Sequence, residues 1–331
     1  MAWQYWTDAP RHGSWHEVCT PQVNTADQLR VKTTATAVSK GTETLVHNGD
    51  VPARIANHMR APHQLGDFPF PVSYGYLAVG IVDQGDSDWL DQRVFGLLPH
   101  HTHHVVPATE VYPIPDSISD HRALLAGAVE TGINILWQQP PHFGDRVTII
   151  GAGMIGAATA LLADRFPLER LEVIETNPQR RNLIHNWGIT ALDPAEASAD
   201  NDVVIHVSGQ EAGLARALEI TGDDATIVEA SWYGEQAPTV PLGADFHARR
   251  LRIIASQVGE VAAGQRLRRT RQQRMQAALA ALDDDRFDDL ITGASSWRKL
   301  PSVLQDLTTA SQLAATTLCH VLDYDEIEKG P

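Results

Sequence analysis

The order of apolar and polar positions divides the chain into two kinds of text. Up to about residue 115, short β-favouring runs recur between prolines and glycines: Leu29–Thr34, Ala78–Val82, Arg93–Leu97 and His104–Val106. No long window there has helical periodicity, so this region reads as a turn-rich, mostly β unit. Near Asp120 the pattern changes. Residues Asp120–Gln138 form a long apolar helix candidate with Ser119 as its N-cap.

Strands and helices then alternate. The strands are Val147–Ile150, Leu171–Glu175, Val203–Val207, Thr226–Ala230 and Leu251–Ser256. The helices between them are Met154–Arg165, Gln179–Trp187 and Ala212–Thr221. Short, largely apolar strands separated by helices predict a parallel sheet covered by helices. After Gly259 the alternation stops, and two more helices are expected over Thr270–Leu282 and Ser302–Ala314. The expected organisation is therefore a β-rich unit over 1–119, a dinucleotide-binding α/β unit over 120–258, and a return to the first unit over 259–331.

One loop has a specific chemical reading. Gly151-Ala-Gly153-Met154-Ile155-Gly156 directly follows a predicted strand and opens a predicted helix. In that context Gly151 permits the tight turn, Gly153 lets the backbone approach a pyrophosphate, and Gly156 lets helix and sheet pack closely. The helix N-terminus offers N–H groups and a positive dipole end to phosphate. An acid about 20 residues on completes the fingerprint, and Glu175 stands there at a strand end with Thr176 after it. A carboxylate at that point accepts ribose hydroxyls and repels a 2′-phosphate, which favours NAD over NADP. Arg180 and Arg181 temper that preference.

Composition narrows the partners. The 331 residues are 43% hydrophobic and 20% charged, enough for a sizeable core. The net charge of −15 argues against nucleic acid or an anionic membrane surface as the main partner. The N-terminus has no signal-peptide pattern and no window reads as a membrane span, so a cytoplasmic protein with a small-molecule substrate is expected. The only cysteines, Cys19 and Cys319, cannot form a disulfide framework or a cysteine-cage zinc site.

These segments together resemble the medium-chain dehydrogenase/reductase superfamily. Val38-Ser-Lys-Gly-Thr-Glu43 resembles its Cys-Gly-Thr-Asp segment, Pro71–Gly80 its Pro-x-x-x-Gly-His-Glu-x-x-Gly segment, and Asp91–Gly96 its Gly-Asp-Arg-Val strand. Glu130–Leu136 and Gly144–Val147 match the approach to the cofactor loop; Ser208-Gly209 and Glu229–Gly234 match later strand ends that face it. Ser39–Glu43, Phe68–Tyr76, Phe246–Arg250 and Ser256–Gly259 look most similar to a branch near bacteriochlorophyllide a dehydrogenase. The resemblance implies a Rossmann doubly wound sheet with a GroES-like β-rich domain, a homodimer, and cofactor contacts from Ser208, Gly209 and Ser231.

The departures from the family define the expected chemistry. Lys40 and Tyr76 stand where zinc-using members have Cys and His, and Leu77 stands where they have a Glu behind the metal ligands. Catalytic zinc needs three such ligands and an open position, so no zinc is expected. Hydride transfer to a carbonyl builds negative charge on oxygen. Lys40 and Tyr76 would meet it, with Thr42 at the family's proton-relay position. The bland alternative makes Lys40 a solvated strand-end charge and Tyr76 a cleft wall. The expected activity is NAD(H)-dependent interconversion of a secondary alcohol and a ketone. Reduction of an enone or quinone, or a non-catalytic NAD-binding redox sensor, remain the alternatives.

Three further features stay open on sequence alone. His100, His101, His103 and His104 would alternate between the two faces of a strand, which keeps all four from one metal ion. Arg249–Arg252 and the arginines from 266 to 274 read as a solvated surface among acids. Trp3, Trp6 and Trp15 are divided between a β-domain core and a platform for a flat substrate.

Overall fold

The computed structural model describes residues 1–309 and 311–331. It divides into two compact units, Met1–Gly127 with Ile291–Pro331, and Ala128–Leu290.

In chain order the first unit contains β1 (Ala2–Ala9), β2 (His12–Val18), β3 (Gln28–Ser39), α1 (Lys40–Asn48), β4 (Leu65–Gly66), β5 (Val72–Ser73), β6 (Ala78–Gln84), β7 (Arg93–Gly96), β8 (His103–Pro107), β9 (Val111–Pro113) and α2 (Asp120–Ala123). Helix α3 (Ala126–Gln138) follows. The second unit then contains β10 (Arg146–Ile150), α4 (Met154–Ala163), β11 (Arg170–Ile174), α5 (Pro178–Asn186), β12 (Thr190–Leu192), β13 (Asn201–His206), α6 (Glu211–Ile220), β14 (Thr221–Glu229), β15 (Arg252–Ala255) and α7 (Arg271–Ala281). The chain returns to the first unit with β16 (Ile291–Ser296), α8 (Leu300–Leu307), α9 (Gln312–Thr316) and β17 (Cys319–Asp323).

The first unit has a seven-stranded sheet of order β16-β17-β3-β6-β7-β9, with β8 on β3, and a four-stranded sheet of order β2-β1-β5-β4. One of its cores gathers Trp297, Leu300, Val303, Leu304 and Leu307 under Tyr5, Leu322 and Tyr324, with Trp3 and Trp15 packed against it. Trp15 meets Trp297 edge-on at 4.6 Å between ring centroids. Trp3 and Trp15 are thus core residues, whereas Trp6 lies tilted on His16.

The second unit is a six-stranded sheet of order β12-β11-β10-β13-β14-β15 with every pairing parallel. That order reverses between β10 and β13, which makes their carboxyl ends the topological switch point of a doubly wound sheet. Ile150, Ile174, Val204 and Ile227 form the core with Leu214 and Leu218 of α6. The inner strands β10, β13 and β14 are buried over most of their length on both faces, as a parallel sheet requires, whereas the edge strand β15 is half-exposed.

Three local readings of the sequence need correction. The single helix over Asp120–Gln138 is two helices, interrupted at Leu124 and Leu125. Ser119 caps the first through its Oγ, which accepts from Arg122 N–H at 3.2 Å. The β-rich region also contains α1, which starts at Lys40; the sequence showed no helical pattern there because its polar residues Lys40, Thr42 and Thr44 dilute it. Of the helix expected over Ser302–Ala314, residue 310 lies outside the described residues, and α8 and α9 flank it.

The division between units falls later than the composition shift at Asp120 and at Gly259. Asp120 accepts from Thr34 Oγ1 at 3.1 Å and Arg93 Nε at 2.8 Å, and His121 bonds Asp323 at 2.7 Å. These bonds fasten α2 to the first unit. Helix α7 belongs to the second because Arg274, only 1% exposed, reaches Glu130 at 3.0 Å and the carbonyl of Glu260 at 3.1 Å.

Candidate functional site

In the second unit the glycine-rich loop leaves β10 at the switch point. Gly151 has φ +106°, a left-handed backbone that disfavours any side chain. A Cβ at Gly156 would stand 1.8 Å from the Gly151 carbonyl oxygen, so α4 touches the loop that precedes it. A Cβ at Gly153, by contrast, would meet nothing within 4 Å. Gly153 is the N-cap of α4 and supplies no side-chain cap, so the N–H groups of the first turn, from Met154, Ile155 and Gly156, have no side-chain acceptor. A bare, uncapped helix start with open space over it suits a pyrophosphate. The residues present therefore fit a dinucleotide.

Glu175 closes the same loop. Its carboxylate accepts from Ala152 N–H at 2.8 Å, Asn177 N–H at 2.9 Å and Thr176 Oγ1 at 3.2 Å, and it is 8% exposed. Arg180 Nη1 stands 3.8 Å from it. Arg181 instead donates to the carbonyls of Glu175 and Thr176 at 2.6 and 2.9 Å. The acid thus ties the end of β11 to the glycine loop.

Across the switch point, Ser208 backs onto the loop: a Cβ at Gly151 would lie 2.8 Å from Ser208 Cα. Gly209 N–H donates to Ser231 Oγ at 3.1 Å. Gly151, Gly153, Gly156, Glu175, Ser208, Gly209 and Ser231 are therefore gathered along the carboxyl ends of four neighbouring strands, β11, β10, β13 and β14. Sequence reasoning missed the group that joins Ser208 to Ser231, whose Oγ lies 3.3 Å from His206 Nδ1. His206, fully buried, bonds Ser208 Oγ at 2.6 Å and Glu229 at 2.7 Å.

In the first unit, Lys40 and Thr42 lie on the first turn of α1. The Lys40 ammonium donates to the Ala314 carbonyl. Burial and the neighbouring Glu43 charge push the Tyr76 phenol up to about 12, partly offset by hydrogen bonds with Ser39 and Thr42. Tyr76 thus stays protonated at neutral pH, as a donor. Burial and Glu43 likewise push the Cys319 thiol up to about 12. An ammonium, a protonated phenol and the buried Leu77 are not a zinc donor set. A zinc ion does not fit these three positions.

Glu43 is the residue of this unit that the sequence did not single out. Only 4% exposed, it accepts from Ser39 N–H at 2.7 Å and pairs with His100 Nε2 at 2.9 Å. His100 Nδ1 meets Thr36 Oγ1 at 2.8 Å. A network of buried groups, each with a partner, thus links β3, α1 and the segment before β8.

The histidine run does not alternate as a regular strand would. His101 and His104 stack at 5.1 Å, and β8 begins only at His103. His101 bonds Ser73 Oγ at 2.7 Å, and burial lowers it to about 3, so it is neutral. The arginine cluster is largely paired: Arg249 with Asp223, Arg250 with Asp224 and Arg271 with Glu260. Arg274 departs from the expected solvated surface, being buried against Glu130.

Comparison with known proteins adds three findings. L-threonine 3-dehydrogenase of Rhizobium etli (strain CIAT 652) is 32% identical over 122 residues, 35% of this chain and 33% of that protein. The chain thus matches about a third of the length of such relatives. Among solved structures, zinc dependent alcohol dehydrogenase 2 from Streptococcus pneumonia superposes with a TM-score of 0.78 at 16% identity, covering 98% of this chain and 99% of that one. A short chain alcohol dehydrogenase from Escherichia coli CFT073, complexed with NADH, gives 0.76 at 16% identity with the same coverage. No family model matches the chain. The fold is the α/β fold of these dehydrogenases, with a Rossmann unit and a GroES-like β-rich unit.

Proposed function

We propose that the chain is a member of the medium-chain dehydrogenase/reductase superfamily and an NAD(H)-dependent oxidoreductase acting on a secondary alcohol or its ketone without zinc. The observation that carries the reading is the glycine loop at the switch point, where Gly151 and Gly156 are sterically obligatory and Gly153 lies under open space. The similarity to L-threonine 3-dehydrogenase and the fold shared with alcohol dehydrogenases support it.

Gly151, Gly153, Met154, Ile155 and Gly156 would hold the pyrophosphate, Glu175, Thr176 and Arg180 the adenosine ribose, and Ser208, Gly209 and Ser231 the nicotinamide half. Bound NAD(H) supplies a hydride acceptor or donor. The Lys40 ammonium, with three N–H groups, stabilises the negative charge that develops on the substrate oxygen. The protonated Tyr76 donates to the same oxygen, and Thr42, which bonds Tyr76, passes on the proton. The Glu175 carboxylate disfavours a 2′-phosphate, so NAD is preferred to NADP. Strand β15, at the sheet edge, is the proposed seam of a homodimer.

The test is NADH oxidation followed with a panel of ketones, enones and quinones, and NAD reduction with secondary alcohols including L-threonine, before and after chelation. Turnover of an alcohol–ketone pair that survives chelation supports the reading. Tight NADH binding with no turnover on any of them would replace it with a redox sensor.

A further inference from the structure

The cluster behind Ser208 has a polarity that the dinucleotide reading does not require. Glu229 Oε2 accepts from Tyr233 OH at 3.3 Å, and Glu229 Oε1 from Ser231 N–H at 2.8 Å. Burial and Glu229 both raise the Tyr233 pKa, which keeps that hydroxyl a donor. A carboxylate held by two donors takes its third from His206 Nδ1 at 2.7 Å. The His206 proton is thereby fixed on Nδ1, and Nε2 is left as the acceptor. Ser208 Oγ, 2.6 Å from Nε2, is the donor it faces. Gln210 N–H donates to the same oxygen at 3.2 Å.

Nucleophile, base and orienting acid therefore stand in one line, at hydrogen-bonding distance at each step. The space is built for them. A Cβ at Gly213 would lie 2.5 Å from Ser208 Oγ and 2.7 Å from His206 Nε2. His206 is fully buried, whereas Ser208 is partly exposed in the turn between β13 and α6. Helix α6 starts three residues beyond Ser208, after the N-cap Gln210 and without a side-chain cap, so its positive dipole end lies next to the atom that reacts.

We propose that Ser208 is a base-activated nucleophile that accepts an acyl group from a small activated carboxylic ester, with His206 as its base and Glu229 as the positioning residue. In the step, Ser208 Oγ bonds to the ester carbonyl carbon and the bond from that carbon to the aryloxide breaks. The Ser208 proton passes to His206 Nε2 and from there to water, and no oxidant or reductant is needed. A simple structural staple between β13 and β14 would use the same hydrogen bonds but would not make Ser208 more reactive than other serines.

The test is p-nitrophenyl acetate with the full chain free of nucleotide, followed by p-nitrophenolate release and peptide mass spectrometry. The expected result is a burst of about one equivalent and a single acetyl group on Ser208. Ser208→Ala removes the burst, and His206→Gln slows it by roughly 100-fold or more. Glu229→Gln slows it without raising the KM for the ester, and Glu229→Asp restores part of the rate; a merely structural loss would raise KM as well and would not be rescued. If a variant unfolds, the wild-type labelling site still decides. An acetyl group spread over several serines, no acetylation above that of the denatured chain, or an unchanged burst in a folded Ser208→Ala would overturn the proposal.

Discussion

Replacing single glycines of the loop with alanine separates what holds the fold from what would hold the cofactor. At Gly156 the new methyl would lie 1.8 Å from the Gly151 carbonyl oxygen and 2.9 Å from a Val207 methyl. Backbone contacts below 3 Å do not occur for real Cβ atoms, so the loop or α4 must move by roughly 1 Å, at a cost of about 1–3 kcal/mol. For a protein of this size that corresponds to a fall in melting temperature of roughly 2–10 °C. At Gly153 the same methyl meets nothing within 4 Å and the backbone φ is −70°, so Gly153→Ala melts within about 1 °C of the parent. Its methyl would nevertheless occupy the space over the α4 N-terminus that a pyrophosphate needs. NADH titration by fluorescence, beside a melting curve, reads both effects. Gly156→Ala loses stability and affinity together, and Gly153→Ala loses only affinity, by at least about 10-fold. Native NADH affinity in Gly153→Ala would refute the phosphate cradle, and parent-like melting of Gly156→Ala would refute the helix–loop contact.

Further outcomes follow from other parts of the molecule. Lys40→Ala and Tyr76→Phe retain NADH binding but lose turnover, by roughly 100-fold each, as kcat measurements on the best alcohol–ketone pair would show. Glu175→Ala narrows the preference for NADH over NADPH by about 10-fold or more in paired titrations; an unchanged ratio removes Glu175 as the selector. Arg274→Ala leaves Glu130 buried without its cation and costs about 3–5 kcal/mol, measured by chemical denaturation. Stability also declines as the solution is acidified. Burial lowers His47 to about 4 and His101 to about 3, so the folded protein refuses protons that the unfolded chain takes up from the ordinary histidine value of about 6.5 downward. Their contribution is complete above pH 6.5 and is lost progressively as pH falls towards 4, with a limiting slope of about 1.4 kcal/mol per pH unit per histidine. His101→Gln flattens that slope in melting experiments.

What could be read in the sequence was whatever is encoded locally. Runs such as Val147–Ile150, followed by Gly151-Ala-Gly153 and an apolar helix, need no distant partner to be recognised, and they led to the parallel sheet and its loop. Helix α1 escaped because its first turn is polar and its stability comes from packing. Glu43 and His100 lie 57 positions apart, and Glu229 lies 23 beyond His206, so neither pair has a spacing that could announce it. Arg274 looked like one more member of a basic run, and only its partner, 144 positions away, makes it a buried clamp. The histidine run misled for a related reason. Strand alternation was assumed, whereas the chain enters β8 only at His103.

The placement of β17 has a consequence for how the chain is made. Cys319–Asp323 pairs with Ser39–Ala35 on one side and with β16 on the other, as an inner strand of the seven-stranded sheet. On a ribosome, β3 is complete long before the strand that will lie beside its Ala35–Ser39 half exists, so that half of the flank waits with its hydrogen-bonding edge open while β8 covers Gln28–Lys32. The Ala128–Leu290 unit, continuous in sequence, has all its strands by then and can fold first. The first half to be translated is thus the last to be finished.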